Sequence, residues 1–306
     1  MITPAIWTAI YAELPLHEAF RALHAYGWRA FEISTEHLAA IETGRDLEGS
    51  IAKARDCLHG LGLEAPQAHA CLEADVADPD AAARKKDIGR LLCHIGIAAR
   101  LGARHVVMHP GGRKAGAEAG PDVVRRLNVE AFRRLGDYAG EHGVRIGLEN
   151  MMRPGAATPA ELLDLLAVID HPALGVAFDT SHANVAALDI AACIRAYGSH
   201  LVATHISDNN GTGDQHLTPG NGTIDWPAAM AALGETGYDG LLNLEIPGER
   251  HRVPSLLELK LRHALEVARW LAGLAEEARK EKFGMGKKRF VARVNRHDEY
   301  ESHRRW

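Results

Sequence analysis

The feature that most constrains this chain is a rhythm: short apolar runs alternate with long amphipathic stretches. The runs fall at roughly 3–8, 29–34, 63–69, 104–109, 144–149, 174–179, 200–206 and 240–246. Two of them, Val144-Arg145-Ile146-Gly147-Leu148 and Gly240-Leu241-Leu242-Asn243-Leu244, are almost continuously apolar. That pattern suits parallel strands buried on both faces. The intervening stretches have helical spacing, as at Ile88, Leu91, Leu92, Ile95 and Ile97 within 80–101. A second helix is expected at 121–142, entered through Pro121-Asp122. A third, at 158–169, opens on Thr158-Pro159-Ala160-Glu161, a capping box with proline at the first helical position. Gly27, Gly62, Gly102 and Gly143 stand where helices should end before the next strand.

Strand–helix units repeated eight times over about 275 residues match a (β/α)8 barrel. A doubly wound open sheet is the rival, but G-x-G-x-x-G is missing after the first strand. The expected fold class is therefore α/β, a single-domain (β/α)8 TIM barrel over 1–275. Residues 276–306 read as a charged extension, solvated or partly ordered.

Composition narrows the function classes. A net charge of −5 argues against a mainly electrostatic nucleic-acid partner. No apolar stretch is long enough to cross a membrane, and no basic segment followed by an apolar run opens the chain. Cys57, Cys71, Cys93 and Cys193 form no C-x-x-C pair, so reduced thiols and a cytosolic location are expected.

The strand ends hold the chemistry, because barrel enzymes build their sites there. Successive strands end in Gln67-Ala68-His69, Met108-His109-Pro110, Leu148-Glu149-Asn150, Phe178-Asp179-Thr180-Ser181-His182, Thr204-His205-Ile206 and Leu244-Glu245-Ile246. Each residue alone has a bland reading as a cap, an ion pair or a hydrogen-bonded histidine. Converging carboxylates repel, and buried ones are costly unless compensated. A divalent cation resolves that conflict. Mixed imidazole and carboxylate donors favour manganese or zinc, with magnesium, cobalt or iron as alternatives, over calcium. The glycine- and proline-rich loop 213–226 adds Asp214 and His216, which could be ligands or groups facing a substrate.

At these residues the chain resembles the xylose isomerase-like barrel superfamily. The motifs are His-Pro-Gly at 109–111, Leu-Glu-Asn at 148–150, Phe-Asp-Thr-Ser-His at 178–182, His-Ile-Ser-Asp-Asn at 205–209 and Pro-Gly-Asn-Gly-Thr-Ile-Asp-Trp at 219–226. The superfamily contains sugar and sugar-phosphate isomerases and epimerases, and the endonuclease IV nucleases that act at apurinic sites. Similarity to the ketose 3-epimerase-like members implies a divalent metal on Glu149, Asp179, His205 and Glu245. It also implies that Glu149 and Glu245 trade protons with a small sugar through an enediolate. His182 would hold a substrate oxygen, with His69, His109 and His216 in the same pocket. Similarity to endonuclease IV implies instead a multinuclear zinc site that also recruits His69, His109, His182, Asp214 and His216. The Asn209-Asn210-Gly211-Thr212 segment, and Gln215 between Asp214 and His216, depart from the nuclease pattern. Only Arg113-Lys114 suggests a DNA-reading loop. A further reading is a barrel subunit of a lyase or deglycosidase, docked through the tail. Trp7, Trp226 and Arg250 are candidate pocket residues, and self-association through barrel helices is an expected property of such relatives.

Overall fold

The structure, a computed structural model, describes residues 1–114, 120–246 and 253–284. Strands form where the apolar runs fall: β1 (Thr3–Trp7), β2 (Ala30–Ile33), β3 (Glu64–His69), β4 (His105–Met108), β5 (Arg145–Glu149), β6 (Leu174–Asp179), β7 (Leu201–His205) and β8 (Leu241–Leu244). Around them lie α1 (Leu16–Ala25), α2 (Thr35–Thr43), α3 (Leu47–Leu61), α4 (Ala81–Arg100), α5 (Pro121–Glu141), α6 (Pro159–Ile169), α7 (Thr180–Val185), α8 (Ile190–Tyr197), α9 (Trp226–Thr236) and α10 (Pro254–Phe283). Every ladder is parallel, in the order β7-β6-β5-β4-β3-β2-β1-β8. This is the expected (β/α)8 barrel.

The seam between β7 and β8 closes differently from the other ladders. Two backbone bonds cross it at its upper end, Ile206 N–H to Asn243 O (2.8 Å) and Glu245 N–H to Ile206 O (3.2 Å). Lower down, the Thr204 hydroxyl donates to Leu241 O (2.6 Å) and accepts from Asn243 N–H (3.4 Å). A side chain thus bridges strands that lie too far apart for a full ladder.

The core lies mainly between strands and helices, around Phe20, Leu23, Phe31, Phe132 and Phe178. Inside the barrel, small side chains pack together: Val107, Ala177, Val202 and Ala203. Gly175 belongs to this interior, since a Cβ there would lie 2.6 Å from Val202 Cγ1 and 2.7 Å from His200 O.

The expected caps form. Thr158 and Glu161 make a reciprocal capping box on α6. Gly27, Gly62, Gly102 and Gly143 all have positive φ. The expected boundary at 275 falls inside α10. Leu261, Ala264, Leu265, Ala268, Leu271, Ala272 and Ala275 line its buried face, and the helix continues to Phe283. Glu276 belongs to this packing, since its Oε1 accepts from Ile2 N–H (2.8 Å). Residues 285–306 lie outside the described residues, and with them most of the expected tail and its docking role. Among the described residues no helix is long and apolar enough to cross a membrane, and all four cysteines are free.

Candidate active site

The ends of β5, β6 and β7 and the residue following β8 bring Glu149, Asp179, His205 and Glu245 together. Each offers one donor atom, and all four atoms lie within 4.8 Å of one another. All four residues are buried. Local structure explains the aim of Asp179. Its Oδ1 caps α7 by accepting from His182 N–H (2.7 Å). Its Oδ2 is left buried with no hydrogen-bond partner among the described residues. Asn150 fixes the same strand end, accepting from Asp179 N–H (2.8 Å) and donating to Asp179 O (3.0 Å).

His205 is held from behind. Its Nε2 lies 2.9 Å from Glu32 Oε2, a carboxylate that can only accept, so Nε2 carries the proton. Nδ1 then faces Glu149 Oε1 at 2.8 Å and Glu245 Oε2 at 3.3 Å. A lone pair against two carboxylates is repulsive unless a second ring proton or a cation lies between them. With the orphaned Asp179 oxygen, this donor set fits a divalent ion of the first transition row.

The other expected residues surround these four. His69 Nδ1 faces Ala70 O (2.9 Å), which turns Nε2 toward Glu149 Oε2 (3.3 Å). His109 Nε2 reaches the same oxygen at 3.0 Å, so His69, His109 and Glu149 form a second group of potential ligands. His182 directs Nδ1 at Asn150 O (2.8 Å) and Nε2 at Asp214 Oδ2 (3.4 Å). His216 directs Nδ1 at Glu245 O (2.9 Å) and Nε2 at the same Asp214 oxygen (3.0 Å). Three rings thus anchor one nitrogen on a backbone carbonyl and offer the other to a carboxylate. His216 holds this pose with φ at 48°, a left-handed backbone that costs a non-glycine residue about 1–3 kcal/mol.

Electrostatics follow from the crowding. Burial alone would raise Glu149, but the His205 charge and hydrogen bonds with His109, His205 and His69 hold it well below its usual range. Burial pushes Glu245 up to about 7, with His205 opposing and Glu149 and Asp179 reinforcing. Burial disfavours a charged His205, yet Glu245, Glu32 and Glu149 hold it well above normal. Burial likewise opposes charge on His216, but Asp214 and Glu245 bring it up to about 9.

Two residues with no expected role, Glu32 and Asp208, organise the site. Glu32, wholly buried on β2, backs His205 and accepts a short hydrogen bond from Gln67. Asp208 ties down the loop that carries Asp214 and His216. Its carboxylate accepts from the N–H of Asn209 (2.9 Å) and Gly220 (2.8 Å) and from the Trp226 indole (2.9 Å). Gly222 passes so close that a Cβ would sit 2.2 Å from Asp208 Oδ1. Trp226 is therefore a buried anchor of this loop. Trp7 keeps a buried indole N–H without a partner among the described residues. Arg113 pairs with Glu73 (2.8 Å), and Lys114 with Asp78 and Asp87 (3.2 Å each), so acidic neighbours answer both cations of the suggested DNA-reading pair. Arg250 lies outside the described residues.

Residues 20–273 match the family model for the xylose isomerase-like TIM barrel. An uncharacterized protein of Methanocaldococcus jannaschii is 33% identical over 171 residues, covering 53% of this chain and 57% of that protein. The inosose isomerase of Bacillus velezensis is 27% identical over 133 residues, covering 41% of this chain and 48% of that enzyme. The chain thus spans about half the length of these curated relatives. Among solved structures, an L-ribulose 3-epimerase superposes with a TM-score of 0.77 at 20% identity, covering 95% of this chain and 100% of that one. A D-tagatose 3-epimerase-like protein gives 0.76 at 23%, covering 90% and 99%. At such identities the structural likeness establishes the fold alone.

Proposed function

The chain belongs to the xylose isomerase-like TIM-barrel family, and from that premise we propose that it is a divalent-metal-dependent sugar, or sugar-phosphate, isomerase or epimerase. One observation carries the reading: Glu149, ending β5, and Glu245, following β8, meet at a single imidazole nitrogen beside an Asp179 oxygen with no hydrogen-bond partner among the described residues. A divalent cation on Glu149, Asp179, His205 and Glu245 would polarise a carbonyl oxygen and its neighbouring hydroxyl, acidifying the C–H between them. Glu149 or Glu245 takes that proton, and the same or the other carboxylate returns it to a different carbon or face. Such acid–base help is worth about 10²–10⁴-fold. His182, anchored through Nδ1 on Asn150 O and facing Asp214 Oδ2 through Nε2, would hold a substrate oxygen together with that carboxylate. His69 and His109 fix the Glu149 carboxylate, and His216 supports the opposite wall through the Glu245 carbonyl. The likeness to inosose isomerase supports a polyhydroxy ketone as substrate.

The test is turnover of a ketose and inosose panel in D2O. Deuterium should enter the carbon next to the carbonyl in the wild type and not in Glu149→Gln or Glu245→Gln. Full exchange in either variant would sink the role given to that residue.

A second reading has its own observation. His69 and His109 with Glu149, and His182 and His216 with Asp214, could extend the centre to several zinc ions. That composition suits phosphodiester hydrolysis at abasic sites. Cleavage of an abasic duplex by protein holding more than one zinc per chain would favour it. Inactivity there, with about one ion per chain, would favour the sugar chemistry.

A further inference from the structure

A glutamate in the second strand of a barrel is an expensive residue to bury, and Glu32 is fully enclosed. Among the described residues no lysine or arginine pairs with it. Its Oε2 takes two donors, the Gln67 amide and the His205 Nε2–H at 2.9 Å. Its Oε1 is buried without a partner among the described residues. Gln67 also donates to Thr204 O (3.3 Å), so the amide is fixed between two acceptors and cannot swing away from Glu32. The result is a chain of contacts running inward from β3 to β2 to β7: Gln67, Glu32, His205, and then the carboxylates of Glu149 and Glu245.

We infer that Glu32 is a positioning residue, which fixes the ring orientation and tautomer of His205 so that Nδ1 presents its lone pair to the metal centre. Gln67 fixes Glu32 in turn. A carboxylate at 2.9 Å from Nε2 can only accept, and a neutral imidazole has one N–H to give. Committing that N–H to Glu32 leaves Nδ1 as the ligand atom. Without Glu32, Nδ1–H toward Glu149 Oε1 at 2.8 Å would be the better hydrogen bond, and the ring would enter the site as a donor to Glu149. β2 thus shapes the centre while supplying no ligand to it. The carboxylate also raises the electron density of the imidazole, which strengthens it as a ligand.

The inference rests on the proposed metal centre and is independent of the sugar chemistry. A protein that binds the ion tightly and turns over no sugar leaves it standing. The experiment strips the full-length protein with a chelator and titrates zinc against a chromophoric competitor. Glu32→Gln should bind zinc about 10- to 100-fold more weakly than wild type, with circular dichroism unchanged. A folded variant with wild-type affinity overturns the inference. Should Glu32→Gln fail to fold, imidazole ¹⁵N spectra of the zinc-loaded wild type decide the matter. The resonances missing in His205→Asn should report Nε2–H and a metal-shifted Nδ1. An Nδ1–H tautomer overturns the inference, whatever the variant does. A purely structural Glu32 would shift the unfolding midpoint of the metal-free protein and leave that tautomer unexplained.

Discussion

The two ends of the barrel are built from similar residues and put them to opposite uses. At the lower end, His105, Arg145, Tyr238 and Asp239 line one cavity. Arg145 Nη2 donates to Leu174 O (3.1 Å) and the Tyr238 hydroxyl to Leu241 O (2.8 Å). Burial, helped by Arg145 and Arg104, pushes His105 down to about 4, so its ring is neutral. At the upper end, four residues further along the same strands, stand His109 and Glu149. There imidazoles face carboxylates, and Asp179 Oδ2 and Asp214 Oδ1 are buried with no hydrogen-bond partner among the described residues. The lower end sends its polar atoms to backbone carbonyls. The upper end keeps donor atoms uncommitted, and uncommitted buried atoms cost stability unless a ligand answers them. The contrast matches the division between a stabilising and a functional face in barrels of this kind.

Neutralising the charge at each end of β5 should separate the two ends of the barrel most strongly. Glu149→Gln should lower turnover by about 10²–10⁴-fold while the barrel stays folded. Arg145→Gln should leave turnover unchanged and lower the melting temperature, and steady-state kinetics beside calorimetry read both. Next in size is ion removal. Chelation should abolish activity and, at free ion about 100-fold above its Kd, forfeit about 2.7 kcal/mol of stability. A melting temperature indifferent to chelator would mean the upper end is compensated by protein alone. The lower end has its own signature in acid. The His105 value lies below that of the unfolded chain, so the unfolded state binds more protons between pH 6.5 and about 4. Stability is full above that window and falls as pH drops through it. His105→Asn should remove about 1–3 kcal/mol of that acid-side loss, read from melting curves across the window. Last comes packing near the lower end. Gly175→Ala meets Val202 and His200 O, and should cost about 1–3 kcal/mol with catalysis intact.

The sequence revealed the upper end better than its supports. Strand ends were legible because continuous apolar runs stop at a polar residue, which exposed His69, His109, Glu149, Asp179, His205 and Glu245 at once. The capping box of α6 was legible because its residues touch along the chain. Glu32 was not. Between Phe31 and Ile33 it reads as the polar member of an alternating strand, and only barrel closure turns that face inward onto His205. Asp208 sat within a quoted motif, but its partners lie up to 18 residues away in the chain and share no spacing rule. The continuation of α10 past 275 was not legible, because the buried face of the helix ends at Ala275 and the charged turns beyond it carry no apolar pattern.

The seam between β7 and β8 has a consequence for motion. Its sparse main-chain bonding makes it the natural place for the closed sheet to breathe. His205 ends one side of that seam and Glu245 follows the other. An ion held by both would act as a rivet, converting a ring with one loose joint into a continuous hoop. The amides of Ile206 and Glu245 would then trade their hydrogens with solvent quickly in the stripped protein and slowly in the loaded one. Metal uptake would register as stiffness in the scaffold before any substrate arrived.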